Sequence, residues 1–425
     1  IFDFLRCFAG FNFISFTNAS SRQTNQCASF KAKGDEKSEE RRMAVSRPVQ
    51  RGCFCLLICT LIYLIVSWTS SSRFSTMRMQ RLADDVPVRP PRKPVLIYAA
   101  TKFFKMDVTS ERFLSKCSSK DWCSVSEDSR DLTRADAVLF HNADFDMSYK
   151  GKVYQKRNPD IPYVLWSLES PANDVFRPQN NFINWTMTYR RAADVWYPYG
   201  RIERRKESIT VDYEQIWSSK NQSLPPSTLL FSNCFAVNGR TIMITRLEDL
   251  GLKVDKWGKC GRVPPKCDGV ELQGDKCVVD LIKPYKFYLA FENSNCVDYV
   301  TEKFYETLRS RYAVPVVLNR KIYEDLGIPS SAFLALNDYA STTDAVKEIN
   351  RIASDKRGYL EYHKWRETYE VIPEHNDVTG FCDLCRKLAS RSQLSPKDRM
   401  ASRKSYKSVQ DWHFNDMCDN SFSFN

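Results

Sequence analysis

The chain has 425 residues, of which 43% are hydrophobic and 27% charged, a composition typical of globular proteins with a sizeable core. Its formal net charge of +12 invites a nucleic-acid partner, but the excess is not spread over the chain. Residues 1–94 hold 15 Lys and Arg against 7 Asp and Glu, whereas the remainder holds 48 against 44. This nearly balanced body argues against a broad nucleic-acid-binding face, so no nucleic-acid partner is expected.

The N-terminal part of the chain predicts a membrane anchor rather than a folded domain. The run CFCLLICTLIYLIVSW, residues 53–68, has no charge, Gly or Pro and can cross a thin bilayer as a helix. A cleaved signal peptide is the rival, but Trp68 stands where a cleavage site needs small residues. We divide this part into a leader interpreted as an over-extended gene model (1–42, before Met43), a cytosolic tail (43–52), a transmembrane signal anchor (53–69) and a stem (70–93).

Ten cysteines follow the predicted anchor, an even number that favours disulfides formed in an oxidising lumen. A zinc site is the alternative, because Cys382 and Cys385 have the Cys-x-x-Cys ligand spacing. The best partner pair for them, Cys117 and Cys123, lies far upstream, so disulfides are preferred. N-glycosylation sequons add modest support for the lumen, and they begin at Asn184 and Asn221.

From Pro94 onward, short apolar runs that end in polar residues predict strands of a mainly parallel sheet. In the first half these runs are PVLIYAA (94–100), ADAVLFHN (135–142), PYVLWSLES (162–170) and DVWYPYG (194–200). A polar, Pro-containing break near residues 215–228 then marks a domain boundary. We assign residues 94–220 to an N-terminal α/β domain.

The second half alternates apolar strands and helices in the same way, which predicts a second doubly wound unit. The predicted strands are 227–234, 252–258, 285–293, 313–318 and 332–338, and the predicted helices are 239–251, 298–311 and 342–355. We assign residues 221–378 to a C-terminal domain and residues 379–425 to a C-terminal segment.

The stretch FYLAFENSNCVDYVTEKFYETL, residues 287–308, places a polar turn between an apolar strand and a helix. Ligands of open parallel sheets lie beyond the carboxyl ends of the strands, and a helix N-terminus there attracts anions. Lys303 in the first turn opposes the helix dipole, and a bound phosphate would resolve that conflict. Glu302 carries oxygens that accept hydrogen bonds from ribose hydroxyls. The pattern indicates a nucleotide diphosphate, with a solvated Glu–Lys pair as the plain alternative.

This stretch, together with VPVVL, resembles the signature of the α1,3-fucosyltransferases, the family that uses GDP-fucose. The resemblance extends through LWSLESP, MTYRRAADVWYPYG, YLEYHKWR, CDLC and YKSV, and so covers most of residues 94–417. It implies the GT-B arrangement, in which two Rossmann-like domains face each other across a cleft. GDP-fucose would bind the C-terminal domain and the acceptor the N-terminal domain. The resemblance also implies a single-pass type II protein of the Golgi membrane with a lumenal catalytic domain.

The same resemblance assigns roles to individual residues. Glu169 matches the general base that takes the proton of the acceptor hydroxyl, whereas its plain alternative is a surface carboxylate at a strand end. The matching donor-site residues are Arg240 and Lys303 on the diphosphate, with Asn293, Tyr299 and Glu302 lining the site. Two cations on the diphosphate make a divalent metal unnecessary, and no tightly bound cofactor is expected. We interpret the acidic pair Asp144 and Asp146 as a surface loop rather than a metal site.

The family pattern also pairs two upstream cysteines with the C-terminal Cys-x-x-Cys. It implies the disulfides Cys117–Cys382 and Cys123–Cys385, and the reversed pairing is left open. Local bridges of unknown order are expected among Cys260, Cys267, Cys277 and Cys296. The Cys-rich loop and ENSNC look more like invertebrate enzymes that modify the N-glycan core, which makes the core GlcNAc the expected acceptor.

We therefore expect an inverting α1,3-fucosyltransferase that binds GDP-fucose, a glycoprotein N-glycan and the membrane, with a homodimer left open. The alternative acceptor is a GlcNAc in a Lewis-type or LacdiNAc antenna. A further alternative is an inactive, membrane-anchored glycan-binding homologue. That alternative predicts loss of the general base or of the cations that bind the diphosphate. Glu169, Arg240 and Lys303 are all present.

Overall fold

The computed structural model describes residues 89–145, 157–174, 177–265, 267, 273–374 and 377–420. The predicted leader, cytosolic tail and anchor, and most of the stem, lie outside these described residues. Within the described ranges, no helix has the length and apolarity that crossing a membrane requires.

A six-stranded parallel sheet organises the first half of the described chain. Its strands are β1 (Val95–Ala99), β2 (Cys123–Ser126), β3 (Ala137–His141), β4 (Tyr163–Ser167), β5 (Trp185–Thr188) and β6 (Val195–Trp196). They lie in the order β2-β1-β3-β4-β5-β6, and every neighbouring pair is parallel. The next strand, β7 (Gly200–Arg204), lies outside this sheet.

A five-stranded parallel sheet organises the second half. Its strands are β8 (Ser227–Leu230), β9 (Val254–Trp257), β10 (Phe287–Leu289), β11 (Val314–Val317) and β12 (Leu334–Ala335). The order is β12-β11-β10-β8-β9. The last strand, β13 (Tyr369–Pro373), pairs antiparallel with β7 and so joins the two halves of the chain. The prediction of an α/β fold with mainly parallel sheets is confirmed.

Helices connect and cover these strands. They are α1 (Ser110–Leu114), α2 (Tyr213–Ser218), α3 (Arg240–Asp249), α4 (Lys276–Ile282), α5 (Glu302–Glu306), α6 (Arg320–Glu324), α7 (Thr342–Ser354), α8 (Lys356–Glu361), α9 (Gly380–Ser392) and α10 (Pro396–Ala401). Short 3₁₀ or π turns are Lys120–Trp122, Ser129–Thr133, Asn142–Asp144, Thr307–Arg311, Ser330–Ala332, Leu336–Asp338, Lys364–Glu367 and Gln410–Phe414.

The strand orders locate a topological switch point in each sheet. If the strands of each sheet are renumbered from 1 in chain order and the second sheet is read from β9, both spatial orders begin 2-1-3-4-5. The chain therefore changes direction across the sheet between β1 and β3 in the first sheet, and between β8 and β10 in the second. Ligands of doubly wound folds bind outside the carboxyl ends of the strands at such a switch point. The loops that follow β1, β3, β8 and β10 are therefore the places to look for a site.

The predicted strands of both halves are present, but the prediction of a helix over residues 298–311 is wrong at its start. Asp298 has φ of 61°, and Thr301 is an extended N-cap whose hydroxyl accepts the Lys303 N–H, so α5 begins at Glu302. Sequence reasoning also missed β2, β5, β7 and β13. These strands are short or carry polar residues on both faces, so they lack the buried apolar run that marks their neighbours.

Five disulfides use all ten cysteines that follow the predicted anchor. They are Cys117–Cys382, Cys123–Cys385, Cys234–Cys260, Cys267–Cys277 and Cys296–Cys418. The first two pairings are those that the resemblance implies, and they fasten α9 to the first sheet. The expectation of purely local bridges is wrong for Cys296, whose partner lies 122 residues away near the end of the chain.

Candidate active site

The loops after β8 and β10 are fastened together by Arg240, the first residue of α3. Its guanidinium donates to the carbonyl oxygens of Phe291 (2.9 Å) and Asn233 (3.0 Å). The side chain of Asn238 adds a second link, since its amide donates to the carbonyl oxygen of Glu292 at 2.9 Å. Arg240 is 2% exposed, and burial lowers its pKa against the opposing charge of Glu292. Here the guanidinium faces protein carbonyls, so its contact with a diphosphate stays a prediction.

A buried carboxylate, Glu292, holds the turn that precedes α5. It accepts the backbone N–H of Thr301 at 2.7 Å and the Thr301 hydroxyl at 2.8 Å. The ammonium of Lys303 lies 3.5 Å from Glu292 and 3.2 Å from Glu302. Burial alone would lower the pKa of Lys303, but the two carboxylates outweigh it and raise that pKa above its usual value. The unfavourable cation at the helix start is thus already offset by Glu292 and Glu302.

Glu169 lies just past β4 and reaches the turn between β10 and α5, residues 290–301. This turn carries residues predicted to bind the donor and is called the donor turn below. Its partly buried carboxylate is hydrogen-bonded to the side chain of Asn293. Burial raises the pKa of Glu169, the charge of Asp174 raises it further, and Lys303 acts in the opposite direction. A partly buried carboxylate with a raised pKa is suited to accept a proton. The structure therefore brings Glu169, Asn293 and Lys303 together.

Tyr299 is buried between the two halves of the chain. Its ring meets Tyr189 edge to face at 4.9 Å and Tyr199 at 6.4 Å. Next to it, Asp298 accepts the backbone N–H of Arg191 at 3.0 Å and pairs with the Arg191 guanidinium at 3.2 Å. These contacts fix the donor turn against the loop after β5. The hydroxyl of Tyr199 also donates to the carbonyl oxygen of Leu168, one residue before Glu169, at 2.6 Å.

Gly200, the last residue of the WYPYG motif, allows β7 to approach α5. A Cβ atom at Gly200 would lie 2.6 Å from the ring of Tyr305, a separation that real Cβ atoms do not show. No other residue fits at this point without displacing the ring. The motif thus contributes a close approach between the two halves of the chain beside Glu302.

Glu374 is a further carboxylate of this region that sequence reasoning did not single out. It follows β13, and burial raises its pKa to about 7, with Glu302 and Glu306 adding to the shift and Lys116 opposing it. A carboxyl that titrates near neutrality adjoins the face of α5 that carries Glu302.

The predicted surface loop around Asp144 has a more defined role. Asp144 accepts from the ring Nδ1 of His141 at 2.6 Å and from the backbone N–H groups of Phe104 and Lys105. Asp146 lies outside the described residues, so the pair as a whole is not described. Within the described residues, no cluster of three or more His, Cys, Asp or Glu side chains is arranged to hold a metal ion.

The two glycosylation sequons differ in their surroundings. The Asn184 side chain donates to the carbonyl oxygen of Lys404 at 2.7 Å and accepts the Tyr163 N–H at 3.0 Å. Thr186 of the same sequon is fully buried. Asn221 is exposed. Both modifications stay predictions, and the internal contacts of Asn184 oppose a glycan there.

Other residues of the site come from long-range contacts that no local motif signals. Asp174 is fully buried and pairs with His413, 239 positions away, with 2.9 Å between the His Nε2 and a carboxylate oxygen. The hydroxyl of Ser167 donates to the same carboxylate at 2.6 Å. Glu292 and Asn238, in contrast, lie within the sequence motifs of the predicted site. Their closeness in sequence to Asn293 and Arg240 was a signal from which they could have been predicted as site residues.

Comparison with known proteins identifies the family. A protein-family sequence model described as "Fucosyltransferase, N-terminal" matches residues 92–200. A second family model, described as "Glycosyltransferase family 10 (fucosyltransferase) C-term", matches residues 217–412. A crystal structure of an α1,3-fucosyltransferase with GDP-fucose is similar over 74% of this chain and 90% of its own, with 15% identity and a TM-score of 0.42.

Curated relatives match most of the chain. Alpha-(1,3)-fucosyltransferase fut-6 of Caenorhabditis elegans is 42% identical over 88% of this chain and 95% of the relative. Alpha-(1,3)-fucosyltransferase fut-5 of the same organism is 36% identical over 77% of this chain and 85% of the relative. Glycoprotein 3-alpha-L-fucosyltransferase A of Drosophila melanogaster is 29% identical over 75% of this chain and 60% of the relative. This chain belongs to glycosyltransferase family 10 and is a fucosyltransferase.

Proposed function

We propose that the enzyme transfers L-fucose from GDP-β-L-fucose, with inversion, to the 3-hydroxyl of a GlcNAc in a glycoprotein glycan. The α1,3 linkage agrees with the names of the C. elegans relatives, and GDP-fucose is bound in the structural neighbour. The two sheets would form the acceptor domain (94–220) and the donor domain (221–378) of a GT-B enzyme. The donor would lie at the switch point between β8 and β10.

The observation that carries this proposal is the position of Glu169 against the donor turn. Its carboxylate, with a raised pKa, is hydrogen-bonded to Asn293 and lies within electrostatic reach of Lys303. In the proposed step Glu169 takes the proton of the acceptor hydroxyl while that oxygen bonds to the anomeric carbon of fucose. The bond between this carbon and the β-phosphate oxygen breaks, and an oxocarbenium-like transition state links the two events.

The departing GDP keeps the electron pair of the broken bond and gains negative charge on its β-phosphate. Lys303, held protonated by Glu292 and Glu302, would balance that charge directly. Arg240 would hold the loops after β8 and β10 around the diphosphate, and Tyr299 and Asn293 would line the sugar. Two protein cations at the diphosphate leave a divalent metal unnecessary in this scheme.

The proposed location is the Golgi lumen, with residues 53–69 as a type II anchor. Support comes from the ten cysteines that follow the predicted anchor, which are all paired in disulfides, since such bonds persist in oxidising compartments. The innermost GlcNAc of N-glycans is the proposed acceptor. The name of the Drosophila relative, a glycoprotein 3-α-L-fucosyltransferase, agrees with a glycoprotein substrate.

The test uses the full chain, produced in a secretory host and solubilised in detergent. It is incubated with GDP-fucose and either a trimmed N-glycan core glycopeptide or a LacNAc-type glycan, with and without EDTA. Product mass and linkage are read for the wild type and for Glu169→Gln, which keeps the shape of the side chain. We expect an α1,3-fucosylated core, no dependence on EDTA, and no product with Glu169→Gln.

Each outcome has a distinct meaning. Transfer only to the antenna keeps the mechanism and replaces the acceptor. Loss of activity in EDTA that Mn²⁺ restores overturns the metal-free scheme. Equal activity of Glu169→Gln removes Glu169 as the base. Binding of GDP without any transfer favours the glycan-binding alternative.

A further inference from the structure

An exposed aromatic ring stands at the other switch point, between the carboxyl ends of β1 and β3. Phe104 lies in the loop that follows β1, five residues after the end of that strand. Its side chain is 53% exposed. A single exposed apolar side chain is ordinary on a protein surface, but this one lies beside a switch point at which ligands of such folds bind. Phe104 has no role in the proposed reaction.

The backbone under Phe104 is held in a conformation that its sequence does not favour. Phe103 and Met106 exchange two backbone hydrogen bonds of 2.9 Å, so Phe104 and Lys105 are the central residues of a two-residue hairpin. Both have positive φ, 47° and 67°. This turn type is normally built from Asn-Gly or Asp-Gly, because other residues pay a steric penalty at positive φ. Strained residues of this kind persist only where the surroundings enforce them, and they concentrate at functional sites.

Asp144 enforces the turn. Its carboxylate accepts the backbone N–H groups of both Phe104 and Lys105, the latter at 3.1 Å, and also accepts from the ring Nδ1 of His141. Burial opposes the charge of Asp144, but these three hydrogen bonds outweigh it and lower the carboxyl pKa. One ionised carboxylate thus fixes the turn after β1 relative to the last residue of β3.

Other rings support Phe104 from below. His141 meets Phe104 edge to face with ring centroids 4.8 Å apart, and it meets Phe103 at the same distance. Trp166 of β4 stacks on Phe103 at 4.7 Å and contacts His141 at 4.8 Å. Burial lowers the pKa of His141, so its ring is neutral near pH 7. Phe104 is therefore the exposed end of a rigid aromatic stack that reaches back into β4.

The same stack relates Phe104 to Glu169, which follows Trp166 by three residues. β1 and β4 both pair with β3, and neighbouring strands lie about 4.8 Å apart, so β1 and β4 are about 10 Å apart across the sheet. This separation corresponds to about two hexose units. A glycan whose reacting hydroxyl lies at Glu169 would place a neighbouring sugar over the end of β1.

We propose that Phe104, presented by the turn that Asp144 clamps, is a platform on which a sugar ring of the acceptor glycan stacks, one or two units from the GlcNAc that receives fucose. The C–H face of a pyranose carries positive partial charge and suits the negative face of an aromatic ring. Phe104 contacts the acceptor, and Asp144 is a positioning residue that acts through the turn. This inference rests on the proposed function and adds the recognition of an acceptor sugar remote from the reaction.

The test measures acceptor KM and kcat of the full-chain enzyme with two acceptors, an N-glycan glycopeptide and a simple GlcNAc glycoside. Phe104→Ala and Phe104→Leu should raise KM for the glycopeptide about tenfold, whereas Phe104→Trp keeps the ring and should stay within about twofold. The values of kcat, KM for GDP-fucose and KM for the simple glycoside should not change. Met400→Ala, another exposed apolar side chain, is the matched control.

Asp144→Asn tests the clamp. It should raise glycopeptide KM with kcat unchanged, because the turn loses its ionised acceptor but the reacting groups stay in place. A purely structural role would instead reduce the GDP-binding fraction of the enzyme for both acceptors alike, which titration with GDP reveals.

Unchanged glycopeptide KM in Phe104→Ala, with the wild type active, overturns the platform and leaves the proposed function intact. An equal rise for both acceptors also overturns it, since a remote sugar would then not be involved. If the wild type transfers no fucose, the proposed function fails by itself. Glycopeptide binding measured by calorimetry in the presence of GDP then decides the platform: a loss in Phe104→Ala alone, with Phe104→Trp and Met400→Ala bound normally, supports it, and equal binding refutes it.

Discussion

Ser170 and Ser294 join the two parallel sheets through their buried hydroxyl groups, which lie 2.9 Å apart. Ser170 directly follows Glu169, and Ser294 directly follows Asn293. Asn173 also donates to the Ser170 hydroxyl at 3.0 Å. The proposed base and the donor turn are therefore held in register by their immediate neighbours, and small displacements of either sheet would be felt at the reacting atoms.

The acid limb of the pH–activity profile should report Glu169. A general base works when deprotonated, so its raised pKa places the limb of kcat/KM above the ordinary Glu value of about 4.3. Asp174→Asn removes a nearby like charge while keeping the side-chain shape. We expect the pKa of Glu169 to fall and the limb to move to lower pH.

A loss of folded enzyme that is equal at every pH lowers the activity without moving the limb, so the fraction that binds GDP is measured at each pH to separate the two effects. Asp411→Asn, at an exposed carboxylate in the same C-terminal turn as His413, is the control. An unmoved limb in Asp174→Asn would show that another group controls activity on the acid side.

Lys303→Met should weaken GDP binding more than GMP binding. A hydrogen bond to a charged group contributes about 1.5–3 kcal/mol, so loss of a β-phosphate contact predicts about a 10- to 100-fold increase in the Kd of GDP. Isothermal titration calorimetry with GDP, GMP and guanosine shows whether the affinity is lost through the β-phosphate contact or through a general disturbance of the site. Lys303→Arg, which keeps the charge, is the matched variant.

Equal weakening for all three ligands would contradict this role, because guanosine carries no phosphate. It would assign Lys303 to the internal cluster with Glu292 and Glu302 alone, in which its ammonium already takes part.

The Cys296–Cys418 disulfide should position the donor turn as well as stabilise the fold. Around it, the Val297 N–H donates to the Met417 carbonyl and the Asp419 N–H to the Asn295 carbonyl, both at 2.9 Å. The double variant Cys296→Ser/Cys418→Ser should raise KM for GDP-fucose, and the free energy of unfolding should fall by about 5 kcal/mol because the bond closes a long loop.

Cys267→Ser/Cys277→Ser is the matched control. Its bond spans 10 positions rather than 122, and about 3 kcal/mol of stability is expected from it. The two double variants are compared by urea unfolding and by donor titration. If both raise the donor KM equally, the Cys296–Cys418 bond has no special relation to the donor turn.

The sequence predicts most of the parallel strands because they are encoded locally. The clearest of them, such as PVLIYAA and PYVLWSLES, contain a continuous apolar run, and the predicted donor residues Asn293, Tyr299, Glu302 and Lys303 stand within one stretch of eleven residues. The range 298–311 began the helix too early: Asp298 has a positive φ, and its carboxylate accepts the N–H of Arg191, a partner 107 residues away that no local pattern signals. The clamp of Asp144 on the Phe104 turn escapes sequence reasoning for the same reason, since it spans 40 positions.

Glycan occupancy should differ between the two sequons. The Asn184 amide nitrogen is occupied by the Lys404 carbonyl, whereas Asn221 is exposed. In a secretory host we expect a glycan on Asn221 and none on Asn184. Glycopeptide mass spectrometry checks this, with Asn221→Gln losing the glycan mass and Asn184→Gln losing none. A glycan at Asn184 in folded, active enzyme would mean that the contact with Lys404 is dispensable.

Glu374 should make the fold less stable as pH rises from acid to neutral. Its pKa is raised from 4.5 to about 7 by burial, then by Glu302 and Glu306, so the folded state binds the proton more tightly than the unfolded chain. The resulting stabilisation is complete below pH 4.5, is lost as pH rises to about 7 and stays absent above it. A shift of this size corresponds to at most about 3 kcal/mol.

Urea unfolding at pH 5 and pH 8 measures this contribution. The decrease in unfolding free energy between the two pH values should be smaller in Glu374→Gln, which is neutral at both, than in the wild type. Glu207→Gln serves as the control for replacing an exposed glutamate. If the decrease is the same in Glu374→Gln and the wild type, the carboxyl of Glu374 titrates normally. In that case the negative charge beside Glu302 is present at all neutral pH values, and a diphosphate would bind against it.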